Sequence, residues 1–222
     1  MNSSTKKTAL VIGATGLIGR QCVVALLQNK QYDKVTTLVR HLSGATHPNL
    51  DEQIVDFDKL EQYSHLMKVD DVFCCLGTTI KKARSKEKFK KVDYEYPFRV
   101  AEIALEQGAK QYLIVTAMGA DSKSKFFYNQ VKGEIEEALK GLGYSALHIF
   151  QPSLLTGDRK EFRLGEKVAV YGFKALNLLL HGPLKKYRSI EGKTVAEAMV
   201  KAANEEKTGV FVYESDVIEG MI

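Results

Sequence analysis

A glycine-rich turn near the start of the chain limits the possible folds more than any other feature. Glycines recur at every third position in Gly13-Ala14-Thr15-Gly16-Leu17-Ile18-Gly19, directly after an apolar run at 8–12 and directly before a helical pattern at 17–29. In such a unit the first glycine allows the tight turn, the second lets a pyrophosphate approach the backbone, and the third lets the helix pack closely on the strand. The N–H groups at the helix start also favour an anion. These seven residues therefore predict a dinucleotide site, and the alternative is an ordinary strand-to-helix turn.

The rest of the chain alternates short β-branched runs with longer segments of helical period. The predicted strands are 8–12, 34–39, 53–57, 71–76, 112–116, 145–150 and 209–213, and the predicted helices include 17–29, 59–67, 96–107 and 128–140. This alternation is typical of an α/β protein with a doubly wound, mostly parallel Rossmann sheet and helices on both faces. Because 222 residues match one ordinary domain, we expect a single domain with a small C-terminal cap at 157–192.

The end of the second predicted strand indicates which dinucleotide is bound. Sites for NAD usually place an acid there to accept a hydrogen bond from the ribose, whereas this chain has Leu38-Val39-Arg40. The guanidinium of Arg40 suits a 2′-phosphate, because it offers forked donors and a permanent charge. NADP(H) is therefore predicted in preference to NAD(H), and the alternative is a solvated arginine at a strand end.

Tyr128 and Lys132 are four residues apart and would share one face of the helix at 128–140. An ammonium beside a phenol favours the phenolate form. Such a tyrosine can donate a proton to a carbonyl or accept one from an alcohol. Although this spacing is common by chance on surface helices, its place after the dinucleotide motif makes Tyr128 a candidate acid/base.

Seven short motifs together resemble the short-chain dehydrogenase/reductase superfamily, and within it the atypical branch. They lie at 13–19, 38–40, 75–79, 91–93, 116–121, 128–134 and 151–155. The resemblance implies that the cofactor passes a turn after the fourth strand, with its adenine near a segment after the third strand and its nicotinamide against a segment after the sixth. In the same order as above, the residues of these three segments are Leu76, Gly77, Thr78 and Thr79; Asp56 and Phe57; and Pro152, Ser153, Leu154 and Leu155.

The same resemblance implies that Tyr128 is the acid/base and that Lys132 also holds the nicotinamide ribose. A hydroxyl at the end of the fifth strand would bind the substrate carbonyl. Thr116 supplies a hydroxyl there, but the next residue is Ala117, where the family's serine could otherwise stand. Which position carries this role stays open, and with it the efficiency of catalysis.

These observations favour an NADPH-dependent reductase of a small carbonyl compound, with Tyr128, Lys132 and Thr116 as catalytic residues. One alternative is an NADP(H)-binding regulator that contacts a protein partner with little or no turnover. A nucleotide-sugar epimerase or dehydratase ranks third, because little of the chain remains for a large substrate domain. The sequence leaves the substrate and the oligomeric state open.

Composition and charge bear on which partners, metals and locations the protein can have. Lys and Arg number 32 against 27 Asp and Glu, an excess of +5 that does not require nucleic acid. The basic run at 81–91 could attract an anionic substrate, a nucleic acid or a protein, but a solvated loop and helix start is preferred. Histidines and cysteines show no metal-ligand spacing, so no metal is predicted. No apolar run approaches the roughly 20 residues of a membrane span, and the polar first residues predict a cytoplasmic location.

Overall fold

A seven-stranded, entirely parallel sheet forms the centre of the protein. The computed structural model describes residues 6–157 and 182–222. Its strands are β1 Lys7–Ile12, β2 Tyr32–Val39, β3 Leu50–Ile54, β4 Asp71–Cys74, β5 Gln111–Val115, β6 Ala146–Gln151 and β9 Gly209–Glu214. They lie side by side in the order β3-β2-β1-β4-β5-β6-β9. Successive strands are added on one side of β1 up to β3, and on its other side from β4 onward. Two short strands, β7 Leu155–Thr156 and β8 Ile190–Glu191, pair separately. The predicted doubly wound Rossmann fold is confirmed.

The helices follow the strands as crossover connections. They are α1 Leu17–Gln28, α2 Ile80–Ala83, α3 Lys86–Lys90, α4 Tyr96–Glu106, α5 Phe127–Lys140, α6 Gly192–Ala203 and α7 Ser215–Gly220. Two 3₁₀ segments lie at Phe57–Met67 and Gly182–Tyr187, and a π-helical segment at Lys91–Glu95 joins α3 to α4. Short crossovers of this kind bring every strand's carboxyl end to one edge of the sheet, where ligands of such folds bind.

The sheet separates two apolar cores. On one face α1 and α6 cover alternate strand residues such as Val11 and Phe73. On the other face α4, α5 and the 57–67 segment cover residues such as Leu10, Val72 and Ile149. Burial of both faces explains why the strands appear in the sequence as continuous apolar runs rather than as alternating ones.

The third strand begins earlier than predicted, and most of the predicted cap lies outside the described residues. The third strand, predicted at 53–57, is Leu50–Ile54, because β3 pairs with β2 from Val35–Leu50 to Val39–Ile54 and then leaves the sheet. The predicted cap at 157–192 falls mostly on 158–181, which lie outside the described residues. The single domain stays a prediction.

His148 on β6 is buried in a stack of aromatic rings that joins β6 to the edge strand β9. Its ring lies 5.1 Å from that of Phe211 and 5.9 Å from that of Tyr213, and its Nδ1 is 3.0 Å from the Tyr213 hydroxyl. Its Nε2 is buried and has no hydrogen-bond partner among the described residues. Burial lowers the pKa of His148 to about 4, so the imidazole is neutral in the folded protein.

Candidate active site

The glycine turn between β1 and α1 is built by close backbone contacts. Gly13 has φ +79°, and a Cβ on it would lie 2.5 Å from the backbone carbonyl of Cys75, which follows β4. A Cβ on Gly19 would lie 2.1 Å from the carbonyl oxygen of Gly13. Side chains at either position would push the turn away from the sheet.

The start of α1 fits the pyrophosphate of a dinucleotide. Its N-cap is Gly16, which offers no side-chain oxygen to the first helical N–H groups, and the first turn contains no acid. Thr15 and Gly16 are exposed, so a ligand can reach these donors. Unbonded N–H groups and the positive end of the helix dipole together favour a negatively charged group here.

Strand register places the other predicted cofactor residues along the same edge. Ile12 at the end of β1 pairs with Leu38 on one side and with Cys74 on the other. Arg40 therefore follows β2 next to the glycine turn, and the turn that contains Leu76 and Gly77 follows β4 on the other side. Arg40 is exposed and forms no ion pair within residues 6–157 and 182–222.

Asp56 and Phe57 lie where the chain leaves β3 and enters the 57–67 segment. Asp56 is exposed, and its carboxylate caps this segment by accepting a hydrogen bond from the Asp58 N–H at 3.0 Å. The ring of Phe57 packs 5.3 Å from that of Tyr96 on α4. Both residues thus stand at the edge of the sheet beyond Arg40, on the side away from α5.

Lys132 on α5 forms a buried ion pair with Asp93 in the π-helical segment. Lys132 Nζ is 2.8 Å from Asp93 Oδ1, and the two side chains are 5% and 0% exposed. The other carboxylate oxygen accepts a hydrogen bond from the Thr78 N–H at 2.9 Å. A Cβ on the exposed Gly77 would lie 3.7 Å from Asp93 Oδ1. The pair therefore lies directly beneath the turn after β4, and it ties that turn to α5.

Tyr128 lies one helical turn before Lys132 and is half-buried. Its ring packs against Phe89 of α3, with 5.6 Å between ring centroids. Burial disfavours the ammonium of Lys132, but the nearby Asp93 and Tyr128 oxygens outweigh that effect and raise the pKa of Lys132. The lysine therefore carries its positive charge at neutral pH.

The hydroxyl of Thr116 is hydrogen-bonded within the protein. It donates to Glu136 Oε1 at 2.5 Å, inside the contact between α5 and the sheet. Gln151 Nε2 donates to both oxygens of the same carboxylate, at 3.0 and 2.9 Å. Burial raises the pKa of Glu136, although the hydrogen bonds from Thr116 and Gln151 oppose the shift. Ala117, which follows Thr116, is half-buried and has no hydroxyl.

The segment after β6 runs along the same edge. The Pro152 carbonyl accepts a hydrogen bond from the Met118 N–H at 3.0 Å, which joins this segment to the loop after β5. The Ser153 N–H donates to Ser215 Oγ at 2.8 Å, and Ser153 Oγ donates to the Arg188 carbonyl. Leu154 is 43% exposed, whereas Pro152 is buried and Leu155 lies in β7.

Sequence reasoning assigned no role to Asp93 or Glu136. Both lie on helical stripes that are otherwise buried, Asp93 between Phe89 and Pro97, and Glu136 one turn after Lys132. An acid in a buried helical stripe is rare unless it has a partner. That position was the available signal, but the partner of each acid depends on the tertiary fold. No group of three or more His, Cys, Asp or Glu side chains that could hold a metal occurs among the described residues. The same part of the chain contains no helix long and apolar enough to cross a membrane.

Comparison with known proteins agrees with this geometry. A family model described as NAD(P)H-binding matches residues 13–155. Rat Protein HTATIP2 is 36% identical over 174 residues, 77% of this chain and 72% of that one. The mitochondrial protein fmp52 of Emericella nidulans is 33% identical over 226 aligned positions, 94% of this chain and 96% of that one.

Solved structures with the same fold include the Bordetella bronchiseptica enzyme WbmH in complex with NAD+. It has a TM-score of 0.72 and 16% identity, covering 95% of this chain and 76% of that one. MoeE5 in complex with UDP-glucose and NAD has a TM-score of 0.70 and 15% identity, covering 92% and 74%. At these identities the likeness shows the fold alone.

The fold and the glycine turn define a dinucleotide-binding Rossmann protein. Within that class, the chain belongs to the NAD(P)H-binding family, and its similarity to Protein HTATIP2 confirms the predicted resemblance to the atypical branch.

The predicted cytoplasmic location is wrong. Relatives from Emericella nidulans, Candida albicans and Aspergillus niger are all named as mitochondrial proteins. The prediction rested on the polar first residues, and polar residues there do not distinguish between compartments inside the cell.

Proposed function

We propose that this protein is an NADPH-dependent reductase of a small carbonyl compound, with Tyr128 as the proton donor. The buried Lys132–Asp93 pair is the observation that carries the proposal. Keeping an ammonium in a desolvated position costs free energy that a purely structural site would avoid with apolar residues. A Cβ on Gly77, in the turn after β4, would lie 4.0 Å from the Lys132 Nζ, and Tyr128 stands one helical turn before this lysine, at the carboxyl edge of the sheet where ligands of such folds bind.

The residues divide the reaction as follows. When bound, a reduced nicotinamide cofactor would supply the hydride that the carbonyl carbon accepts. Tyr128 donates its phenolic proton to the carbonyl oxygen, and the Lys132 ammonium stabilises the phenolate that remains. Asp93 fixes Lys132 in place and, through the Thr78 N–H, holds the turn after β4 at a set distance from α5.

The preference for NADPH rests on Arg40. This side chain is exposed, forms no ion pair within the described residues, and follows the strand next to the glycine turn. No acid occupies the end of β2, where the ribose of NAD would need one. A permanent cation in this position supports binding of a 2′-phosphate.

Replacement of Tyr128 by Phe tests the reductase. NADPH oxidation is followed by absorbance with a panel of aldehydes and ketones, and cofactor binding is followed by NADPH fluorescence. Tyr128→Phe should lose at least about 100-fold in turnover, the scale of general acid catalysis, while NADPH still binds. Tyr63→Phe, a matched control on the 57–67 segment, should keep wild-type turnover. Unchanged turnover in Tyr128→Phe would remove the tyrosine from the mechanism.

One observation favours a second candidate, a cofactor-binding regulator with little turnover. The Thr116 hydroxyl is bonded to Glu136, and Ala117 offers no replacement donor for a substrate carbonyl. If no carbonyl compound is reduced although NADPH binds, a pull-down that compares partners with and without NADPH would test this function.

The named location of the fungal relatives supports a mitochondrial location for this protein as well. Imaging of the tagged full chain together with a mitochondrial marker tests it, with the tag placed at either end in turn. Diffuse signal from both fusions would contradict it.

A further inference from the structure

Six exposed cations form what we term the basic rim. Four belong to the α2–α3 region and two to the loop at 117–126, and they are Lys81, Arg84, Lys86, Lys88, Lys123 and Lys125. The acids in these two stretches are Glu87 and Asp121. Across the described residues none of the six forms a salt bridge, whereas the adjacent Lys90 and Lys91 do, with Glu134 and Asp58 at 3.0 and 2.8 Å. Among the described residues, the rim therefore carries a net positive charge.

The α2–α3 part of the rim lies beside Tyr128. Phe89 of α3 packs on the rings of both Phe127 and Tyr128, each with 5.6 Å between centroids. Lys86 Nζ lies 5.1 Å from the centroid of the Phe127 ring. At the other end, Thr79 caps α2 by accepting a hydrogen bond from the Lys82 N–H at 3.2 Å. The turn after β4 thus leads directly into the rim.

The loop part of the rim is fixed to the same end of α5. A Cβ on Gly133 would lie 2.1 Å from the Ser122 nitrogen, so the loop rests directly on α5 one turn beyond Tyr128. This contact brings Lys123 and Lys125 to the start of the helix. Both cationic segments therefore adjoin α5, the helix whose second residue is Tyr128.

Exposed apolar side chains lie among these cations. Phe126 is 74% exposed between Lys125 and Phe127, and Ile80 is 44% exposed at the start of α2. Like charges held close together repel one another, and an anion from solution relieves that repulsion. The apolar groups can contact the carbon skeleton of the same ligand.

We propose that the substrate of this site is a carbonyl compound that carries a carboxylate or a phosphate, and that the basic rim binds this anionic group while the carbonyl faces Tyr128. This inference rests on the proposed reductase function, because it takes Tyr128 as the reacting end of the site. It assigns the basic run at 81–91 to substrate binding rather than to a merely solvated face.

Four benzaldehydes of similar shape test the inference: benzaldehyde, methyl 4-formylbenzoate, 4-formylbenzoate and 4-formylphenyl phosphate. Binding to the full chain in the presence of NADP+ is measured by ligand-observed NMR, which requires no turnover, and reduction is measured separately with NADPH. The test variant is Lys86→Glu with Lys125→Glu. The matched control is Lys30→Glu with Lys110→Glu, which changes the same charge at the opposite, amino edge of the sheet.

We expect the two anions to bind wild type at least about tenfold more tightly than the two neutral aldehydes at low salt, and to lose this advantage in the rim variant but not in the control. Tighter binding of the phosphate than of the carboxylate would identify a phosphate ester as the ligand, and the reverse order a carboxylate. Equal binding of charged and neutral aldehydes to wild type, or equal loss in both variants, would overturn the inference.

The reduction assay separates this result from the proposed function. Reduction of all four aldehydes with equal KM would leave the reductase standing and remove the rim from substrate binding. Rim-dependent binding of the anions without reduction of any aldehyde would contradict the reductase and keep the rim as an anion site.

Discussion

Lys132 on α5 and Asp93 in the π-helical segment are held 2.8 Å apart, Nζ to Oδ1, with side chains that are 5% and 0% exposed. Replacing Asp93 by Asn should leave the buried ammonium without its counter-charge. We expect the free energy of unfolding to fall by about 3 kcal/mol, measured by urea denaturation, and turnover to fall with it.

The matched control for this change is Asp51→Asn. Asp51 pairs with Lys34 at 2.9 Å, but these side chains are 30% and 55% exposed. Its loss should cost less than about 1 kcal/mol because water screens the pair. Equal costs for the two variants would show that the buried pair is not special.

Substitutions at Thr116 and Ala117 should have different effects, the first on stability and the second on turnover. Thr116→Val removes the donor to Glu136, and should lower the free energy of unfolding by about 1–2 kcal/mol without raising the KM for a carbonyl substrate. Ala117→Ser adds a hydroxyl at the neighbouring half-buried position, and should raise kcat by about tenfold or more. Denaturation and steady-state kinetics measure the two effects.

A rise in KM of Thr116→Val without loss of stability would instead place its hydroxyl on the substrate. Ala117→Ser with unchanged kcat would show that position 117 does not face the reacting carbonyl.

Arg40 should select the cofactor. Arg40→Ala removes the charge-assisted hydrogen bonds to a 2′-phosphate, and we expect the Kd for NADPH to rise by about 10- to 100-fold. The Kd for NADH should stay within about twofold, because NADH lacks that phosphate. Arg40→Lys keeps the positive charge but lacks the paired guanidinium donors. Its Kd for NADPH should therefore lie between those of wild type and Arg40→Ala. Fluorescence titration measures all three proteins, and a parallel loss of both cofactors would contradict the assignment.

His148 should make the protein sensitive to acid. Its pKa in the folded protein is about 4, below the ordinary 6.5 of histidine. As the pH falls below about 6.5, the unfolded chain binds a proton that the folded chain refuses, so stability is lost between about pH 6.5 and 4. This loss should amount to about 2–3 kcal/mol. Measured by urea denaturation over this pH range, the free energy of unfolding of His148→Gln should fall by about 2–3 kcal/mol less than that of wild type.

His41→Gln provides the control, because His41 is exposed. It should follow the acid dependence of wild type. If His148→Gln also did so, the buried imidazole would not be the group responsible.

The succession of strands and helices along the chain and the position of the glycine turn were predictable, because both depend on local patterns. Buried parallel strands are apolar throughout, and the glycines are required by contacts within a few residues. β3 was predicted three residues late because its own residues, Leu50–Ile54, are mostly polar. Nothing in that composition distinguishes an edge strand from a loop.

The basic run showed why short helices escape detection. α2 and α3 have no apolar periodicity, although Thr79 and Ser85 cap them by accepting hydrogen bonds from the Lys82 and Lys88 N–H groups. The partners of Lys132 and Thr116 could not be predicted from the sequence either, because Asp93 and Glu136 contact them only when the helices pack on the sheet.

The geometry of the site depends on the number of residues in the π-helical segment Lys91–Glu95. A π-turn contains one residue more than an α-turn, so deletion of one residue here would leave a continuous helix. It would also rotate α3 by about 100° relative to α4. Phe89 and Asp93 could then no longer both reach their present neighbours on α5. A related chain with every residue type of the site but without this insertion would therefore lose the alignment of Tyr128 with Lys132.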